Sequence, residues 1–199
     1  MQICIPNAWN PRPYQRRLWD YFAKGGRRAV AVWHRRCGKD SLALNLEASK
    51  ALTERVGVYW HMLPLNTQAR KVIWDGVDRY GRRMIDQAFP KELRQSTNDQ
   101  EMKIVFKNGS VWQCVGSDNY DALVGSNPVG VVFSEYSVTP KAATAWDYIR
   151  PILAENGGWA LFIYTPRGHN HGYALYNQAK AAGWFTELLT VDDTKAIPA

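Results

Sequence analysis

Short apolar runs alternate along the chain with longer stretches in which apolar residues recur at helical spacing. Four of the runs predict strands buried on both faces: 29–33, 56–60, 130–133 and 159–164. Helical spacing predicts helices over 14–24, 40–54, 141–155 and 172–182, and the segment 184–190 predicts a last strand. This alternation is typical of an α/β domain in which helices flank a mostly parallel central sheet.

An antiparallel hairpin is predicted to extend this sheet. The apolar segments 102–106 and 110–115 flank Lys107-Asn108-Gly109, and an Asn-Gly step strongly favours a tight hairpin turn. Before the hairpin, the polar to amphipathic stretch 66–96 carries five basic residues: Arg79, Arg82, Arg83, Lys91 and Arg94. These residues either follow a DNA backbone or form an ordinary solvated helix face.

The composition excludes a disordered chain. Of 199 residues, 46% are hydrophobic and 22% charged, which suffices for one full core. No apolar run approaches the roughly 18 residues of a membrane helix, and the first residues lack a signal-peptide pattern, so a cytosolic protein is expected. The net charge of +7 favours a polyanionic partner such as nucleic acid, or serves solubility alone.

The cysteines and histidines predict neither a disulfide framework nor a zinc site. Cys4, Cys37 and Cys114 are odd in number and widely spaced, which is typical of a reducing compartment. His169 and His171 have no third ligand nearby in sequence. Four of the nine tryptophans lie in strand-like runs and are expected to pack in the core: Trp33, Trp60, Trp112 and Trp159.

The first predicted strand leads into a candidate phosphate-binding loop. Gly38-Lys39 opens a helix directly after this strand, where backbone N–H groups would cradle phosphates and the Lys39 ammonium would reach the outer ones. Compared with the pattern GxxxxGK[ST], Trp33 replaces the first glycine and Asp40 replaces the Ser or Thr. Taken alone, the segment is more often an ordinary basic turn between a strand and a helix.

A second strand supplies an acidic residue. The run Val131-Val132-Phe133 is followed by Ser134-Glu135, which resembles a Walker B strand with Glu135 placed to act as a base. P-loop sites hold Mg²⁺ through a loop hydroxyl and a strand carboxylate. Here the two groups are exchanged, so we expect Asp40 and Ser134 to serve the cation; in the alternative, Ser41 supplies the hydroxyl.

Four segments together resemble the N-terminal ATPase domain of the large terminase subunit of tailed bacteriophages, over nearly the whole chain. They are 12–15 (RPYQ), like an adenine-reading Q motif, 33–40 (WHRRCGKD), like a deviant Walker A, 131–136 (VVFSEY), like Walker B, and 164–168 (YTPRG), like the coupling motif III. The resemblance implies a P-loop NTPase fold of the additional-strand, RecA-like type, formed by 1–199 as a single domain.

The resemblance also implies roles for individual residues. Gln15 would read the adenine edge with Tyr14 packed nearby, Arg35 rather than Arg36 would contact the terminal phosphate, and Glu135 would polarise the attacking water. Thr165 would sense the terminal phosphate; the alternative for it is an ordinary turn at a strand end. The predicted catalytic residues are Lys39, Arg35, Glu135 and Thr165, and the predicted ATP-binding residues are Tyr14, Gln15, Arg36, Cys37, Gly38, Lys39, Asp40 and Ser41.

The implied function is ATP hydrolysis that drives double-stranded DNA into a procapsid. The implied cofactors and partners are ATP, Mg²⁺, a homo-oligomeric ring on a portal protein, a terminase small subunit and a C-terminal nuclease domain, all in the host cytoplasm. Asp192-Asp193 is a lone acidic pair, so nuclease activity is not expected from this chain alone. The alternatives are a superfamily 2 helicase-like ATPase and a nucleotide-binding assembly module without hydrolysis.

One feature departs from the family pattern. Some members carry an arginine before the Walker B strand that reaches a neighbouring subunit, whereas residues 121–125 (DALVG) contain none. Arg150 and Arg167 are therefore the candidates for this role, against a plain surface or salt-bridge role for each.

Overall fold

A computed structural model of the chain describes residues 2–118 and 125–197. In this part of the chain, eight strands form one sheet in the order β3-β4-β5-β2-β6-β7-β1-β8. The strands are β1 (Arg28–Trp33), β2 (Val58–Leu63), β3 (Arg94–Asn98), β4 (Lys103–Phe106), β5 (Val111–Gly116), β6 (Pro128–Ser134), β7 (Trp159–Tyr164) and β8 (Phe185–Leu189). All neighbouring pairs are parallel except β3 with β4 and β4 with β5, which confirms the predicted sheet and its hairpin.

Helices cover both faces of the sheet. They are α1 (Arg16–Ala23), α2 (Lys39–Ser49), α3 (Asn66–Gln68), α4 (Met84–Ala88), α5 (Ala142–Glu155), α6 (His171–Ala181) and α7 (Val191–Thr194). Wider π-type turns continue α2 over Lys50–Glu54 and α3 over Ala69–Trp74. None of the helices in the described ranges has the length and apolar character needed to cross a lipid bilayer.

The sheet divides the core into two layers. One layer packs α1, α2 and the 69–89 region against one face, and the other packs α5 and α6 against the opposite face. All four tryptophans predicted for the core are buried in these layers. The central strands carry apolar side chains on both faces, as expected for parallel strands covered on both sides.

Two details differ from the sequence-based expectations. The second strand begins at Val58 rather than at residue 56, and runs on to Leu63. The strand β3 was not predicted, because its sequence, RQSTN, is polar and mostly exposed at the edge of the sheet. An edge strand of this kind carries almost no hydrophobic signal.

Candidate nucleotide-binding site

Most of the predicted site residues lie together at one edge of the sheet, where three adjacent parallel strands end. Strand β1 leads through residues 34–38 into α2, β6 ends at Ser134 followed by Glu135, and β7 is followed by Thr165. A cavity of about 470 Å³ opens here. Its wall contains eight of the predicted site residues: Arg35, Arg36, Gly38, Lys39, Asp40, Ser41, Ser134 and Glu135. In open parallel sheets, this edge is where ligands bind.

The loop begins the helix in the manner needed for a phosphate cradle. Gly38 precedes α2 with φ +78°, a conformation that glycine adopts without a steric penalty. The next residue, Lys39, is almost fully buried, and its Nζ lies 3.1 Å from the His34 carbonyl oxygen and 3.2 Å from Thr165 Oγ1. The ammonium therefore links the loop to the end of β7 at the base of the cavity.

Glu135 lies beside this ammonium. Its Oε1 is 3.9 Å from Lys39 Nζ, and its backbone has φ +51°, which is strained for a residue other than glycine. Burial raises the pKa of the Glu135 carboxyl above its ordinary value, although the positive charge of Lys39 opposes the rise. A carboxylate whose pKa moves towards neutrality is suited to general base catalysis.

Asp40 and Ser134 are in direct contact. The Ser134 hydroxyl donates to Asp40 Oδ1 at 2.6 Å. Burial alone raises the pKa of Asp40, but the His61 ring at 3.5 Å, the hydrogen bond from Ser134 and the charge of Lys39 bring it below its ordinary value. Because the hydroxyl proton points to Asp40, the oxygen lone pairs of Ser134 remain free. A carboxylate and a hydroxyl oxygen are the donors that Mg²⁺ prefers, so this pair fits the cation. The alternative hydroxyl, Ser41, lies in the wall of the same cavity.

The sequence analysis did not predict two residues of the site, His61 and Glu47. His61 on β2 is fully buried, with Nδ1 2.9 Å from Glu47 Oε2 and Nε2 3.5 Å from Asp40 Oδ1. Burial alone lowers the pKa of His61, but the two carboxylates raise it to about 9. The available signal was a glutamate seven residues after Asp40, a spacing that places both carboxylates on the same face of a helix.

Gln15 and Tyr14 hold the loop from outside the cavity. The buried Gln15 amide donates to the carbonyl oxygens of Cys37 and Gly38 at 2.9 and 3.2 Å, while its oxygen accepts from the Arg12 N–H. The Tyr14 hydroxyl also donates to Cys37 O. This geometry positions the phosphate loop, and the reading of adenine by Gln15 stays a prediction.

The arginines differ in their surroundings. Arg35 and Arg36 are exposed, and within the described ranges their guanidinium groups form no ion pair or hydrogen bond. Arg167 lies in the wall of the same cavity, whereas Arg150 lies exposed on α5 and outside that wall. Residues 121–124 of the segment without arginine lie outside the described residues.

The basic stretch is largely occupied by intramolecular contacts. Four of its five members pair with aspartates: Arg82 with Asp78, Arg83 with Asp75 and Asp99, and Lys91 and Arg94 with Asp86. Arg79 lies over the ring of Tyr80. These contacts favour the structural interpretation of the stretch over a continuous DNA-binding face.

The paired histidines also have structural contacts. His171 Nε2 lies 2.6 Å from the Tyr136 carbonyl oxygen, and His169 stacks on Tyr173. Among the described residues, no group of three or more His, Cys, Asp or Glu side chains is arranged to hold a metal ion.

Comparison with known proteins finds similarity to large terminase subunits of bacteriophages. No protein-family model matches the chain. The large terminase subunit of Escherichia phage T5 is 28% identical over 142 residues, which are 71% of this chain and 31% of that protein. The large terminase ATPase domain of Thermus phage P74-26 superposes with a TM-score of 0.64 at 21% identity, over 84% of this chain and 70% of that one. The chain is similar to the ATPase domain of phage large terminases.

A further terminase structure carries a nucleotide analogue. The large terminase of a thermophilic bacteriophage in complex with ATP-gamma-S has a TM-score of 0.68 at 12% identity, over 94% of this chain and 47% of that one. These likenesses confirm the predicted α/β P-loop fold of the terminase ATPase domains. The chain spans about a third of the length of the T5 terminase that it matches.

Proposed function

We propose that this chain is an ATP-hydrolysing motor domain, and that its turnover drives double-stranded DNA into a viral procapsid. The observation that carries the proposal is the convergence of Lys39, Glu135 and the Asp40–Ser134 pair around one cavity. A cation, a carboxylate with a raised pKa and a pair of oxygen donors are the groups that phosphoryl transfer to water requires.

Each residue has a role in this proposal. The N–H groups at the start of α2 and the Lys39 ammonium bind the phosphates, and Arg35 meets charge that develops on the terminal phosphoryl group. Glu135 accepts a proton from the attacking water, and Thr165 links the state of the site to β7 through its contact with Lys39. Asp40 and Ser134 would hold Mg²⁺, which neutralises phosphate charge when bound.

The partners follow from the similarity to the terminases. We propose double-stranded DNA as the cargo, a ring of copies on a portal protein as the working assembly, and a terminase small subunit as an accessory. In this proposal, residues 1–199 form the ATPase domain, a nuclease domain follows in the full-length protein, and the assembly works in the host cytoplasm.

The test compares nucleotide binding and turnover in the wild type and in Glu135→Gln. The amide keeps the shape of the side chain but removes the base, so we expect ATP binding to be kept and Mg²⁺-dependent hydrolysis to fall about 100-fold or more. Glu187→Gln is the matched control, because Glu187 is a buried carboxylate on β8 whose pKa is also raised by burial and which lies outside the cavity wall.

Two results would contradict the proposal. Binding without turnover in the wild type, even at protein concentrations at which subunits meet, would favour an assembly module that does not hydrolyse ATP. Absence of binding would mean that residues 33–41 form only a basic turn. High concentration matters because a group supplied by a neighbouring subunit is worth about a thousandfold in rate.

A further inference from the structure

We propose that His61 is a positioning residue for the cation site: it lies between Glu47 and Asp40 and fixes the Asp40 carboxylate for the Mg²⁺ that accompanies ATP. The inference rests on the proposed function. The proposed function gives no role to His61, although this side chain is fully buried beside the site.

The fold places the three side chains together for a simple geometric reason. Asp40 and Glu47 are seven residues apart on α2, which is two helical turns, so both face the sheet. His61 lies on β2, paired in register with Val132 of β6, and Ser134 lies two residues further along β6. Since side chains two residues apart share a face of a sheet, His61 and Ser134 both point towards α2.

The contacts converge on one oxygen of Asp40. Ser134 Oγ lies 2.6 Å and His61 Nε2 3.5 Å from Asp40 Oδ1. Within residues 2–118 and 125–197, Oδ2 accepts no hydrogen bond, and the side chain is 24% exposed. One oxygen is therefore occupied by the protein, which leaves the other for a cation at the cavity.

The exchange of carboxylate and hydroxyl between the loop and the strand explains why the Asp40 carboxylate needs a residue that holds it in place. In the usual order, the carboxylate is on a strand that neighbouring strands hold rigidly, and the short hydroxyl is on the helix. Here the carboxylate stands at the first turn of α2, where the helix itself does not fix its rotamer. In this proposal His61 limits the rotamer together with the Ser134 hydroxyl, because its Nε2 lies 3.5 Å from Oδ1 and Glu47 Oε2 holds the other ring nitrogen at 2.9 Å.

Stability alone is a poor reason for this arrangement. Glu47 and His61 are both fully buried, and a buried ion pair often stabilises no more than apolar residues of similar volume. Removal of a side chain that contacts the ligand of a metal ion commonly lowers metal affinity about 10- to 100-fold, and the lower end is the effect expected of His61.

The experiment measures the affinity of ATPγS with Mg²⁺ and with EDTA. The ratio of the two dissociation constants isolates the cation from the rest of the nucleotide. His61→Gln alone leaves Glu47 as an unpaired buried charge and invites misfolding, so the test variant is the double substitution His61→Gln with Glu47→Gln. We expect its Mg²⁺ enhancement to fall about tenfold while its affinity in EDTA is unchanged.

A matched control removes a different ion pair near the other end of the same helix. Lys50 and Glu54 pair at 2.6 Å, so Lys50→Gln with Glu54→Gln should lower stability and leave the Mg²⁺ enhancement intact. In an Asp40→Asn background, the His61 and Glu47 substitutions should have no further effect on the enhancement, because a positioning residue acts through Asp40.

The outcomes separate this inference from the proposed function. A full Mg²⁺ enhancement in the folded His61/Glu47 variant overturns the inference and leaves the ATPase standing, as does an additive effect in the Asp40→Asn background. A wild type that binds ATPγS equally well in EDTA also overturns the inference alone, whereas a wild type that does not bind ATPγS overturns both.

Discussion

At the scale of single residues, the pair formed by Asp40 and Ser134 is the main departure from the usual phosphate-loop pattern. The sequence allowed the exchange of the two groups to be predicted, because each departure lies next to a recognisable neighbour, Lys39 or Glu135. The 2.6 Å hydrogen bond shows that the two side chains meet. The part played by His61 was not predictable, because it depends on a contact between a helix and a strand.

Swapping the two residues tests the exchange. We expect Asp40→Ser and Ser134→Asp each to lower kcat/KM for ATP, because the first leaves two hydroxyls and the second two carboxylates. The double variant should recover by about 1–3 kcal/mol relative to the sum of the single effects. Recovery stays incomplete because His61 keeps Glu47 but loses the Asp40 carboxylate at the first turn of the helix. A double variant no better than that sum would refute the exchange.

The two candidate arginines give a second residue-scale prediction. Arg167→Ala should lower ATP turnover about 100-fold with little loss of nucleotide binding, because Arg167 lies in the wall of the cavity that Glu135 also lines. Arg150→Ala is the matched substitution outside the cavity wall, and steady-state turnover should be unchanged in it. Equal turnover in the two variants would remove Arg167 from the site.

At the scale of elements, strongly apolar strands were predictable and polar connections were not. The central strands β1, β6 and β7 have apolar cores that fix both their type and their place. The stretch 66–96 instead forms short helical turns and an edge strand, held by hydrogen bonds and ion pairs such as Arg94 with Asp86. Polar contacts of this kind leave no periodic signal in the sequence.

The Asp86 contacts predict acid sensitivity in this stretch. Burial raises the pKa of Asp86, but Arg94 and Lys91 outweigh it, so the folded-state pKa lies below the ordinary 3.8. The resulting stability is complete above about pH 4–5 and is lost as the pH falls through the folded-state pKa. Denaturant unfolding from pH 6 to pH 3 should show a smaller loss of stability in Asp86→Asn than in the wild type.

The loss of stability expected for Asp86→Asn is small, and Glu92→Gln serves as its control. Because Asp86 is partly exposed, Asp86→Asn should cost about 1 kcal/mol at pH 6, the order of one charge-assisted hydrogen bond discounted for solvent. Glu92→Gln removes a neighbouring exposed carboxylate that has no ion pair among the described residues, and should leave the pH profile unchanged. Identical profiles for Asp86→Asn and wild type would contradict the prediction.

At the scale of the whole molecule, the site connects the middle of the sheet with the layer of the core that contains α2. The loop after β1, the end of β6 and the end of β7 meet at the cavity, and α2 packs across β6 and β7. A ligand bound there contacts elements that are distant in sequence. Binding should therefore stabilise the domain as one unit.

Thermal unfolding measures this linkage. With Mg²⁺ and ATPγS at about 100 times the dissociation constant, the stability should rise by about 2.7 kcal/mol, which raises Tm by roughly 5–10 °C for a domain of this size. Removal of Mg²⁺ with EDTA should abolish most of the shift, and Lys39→Met should abolish it with or without metal. A shift of the same size in Lys39→Met would place the ligand elsewhere.

The contact between Asp40 and Ser134 also affects how the loop is found by motif searches and how it can change by mutation. A motif search that demands Ser or Thr after the lysine passes over this loop, although its partner residue is present on β6. Return to the usual order through Ser134→Asp first would set two carboxylates against each other, and through Asp40→Ser first would remove the carboxylate beside His61. Each single substitution therefore gives a protein with an impaired site, so we expect the two residues to return to the usual order only when they change together.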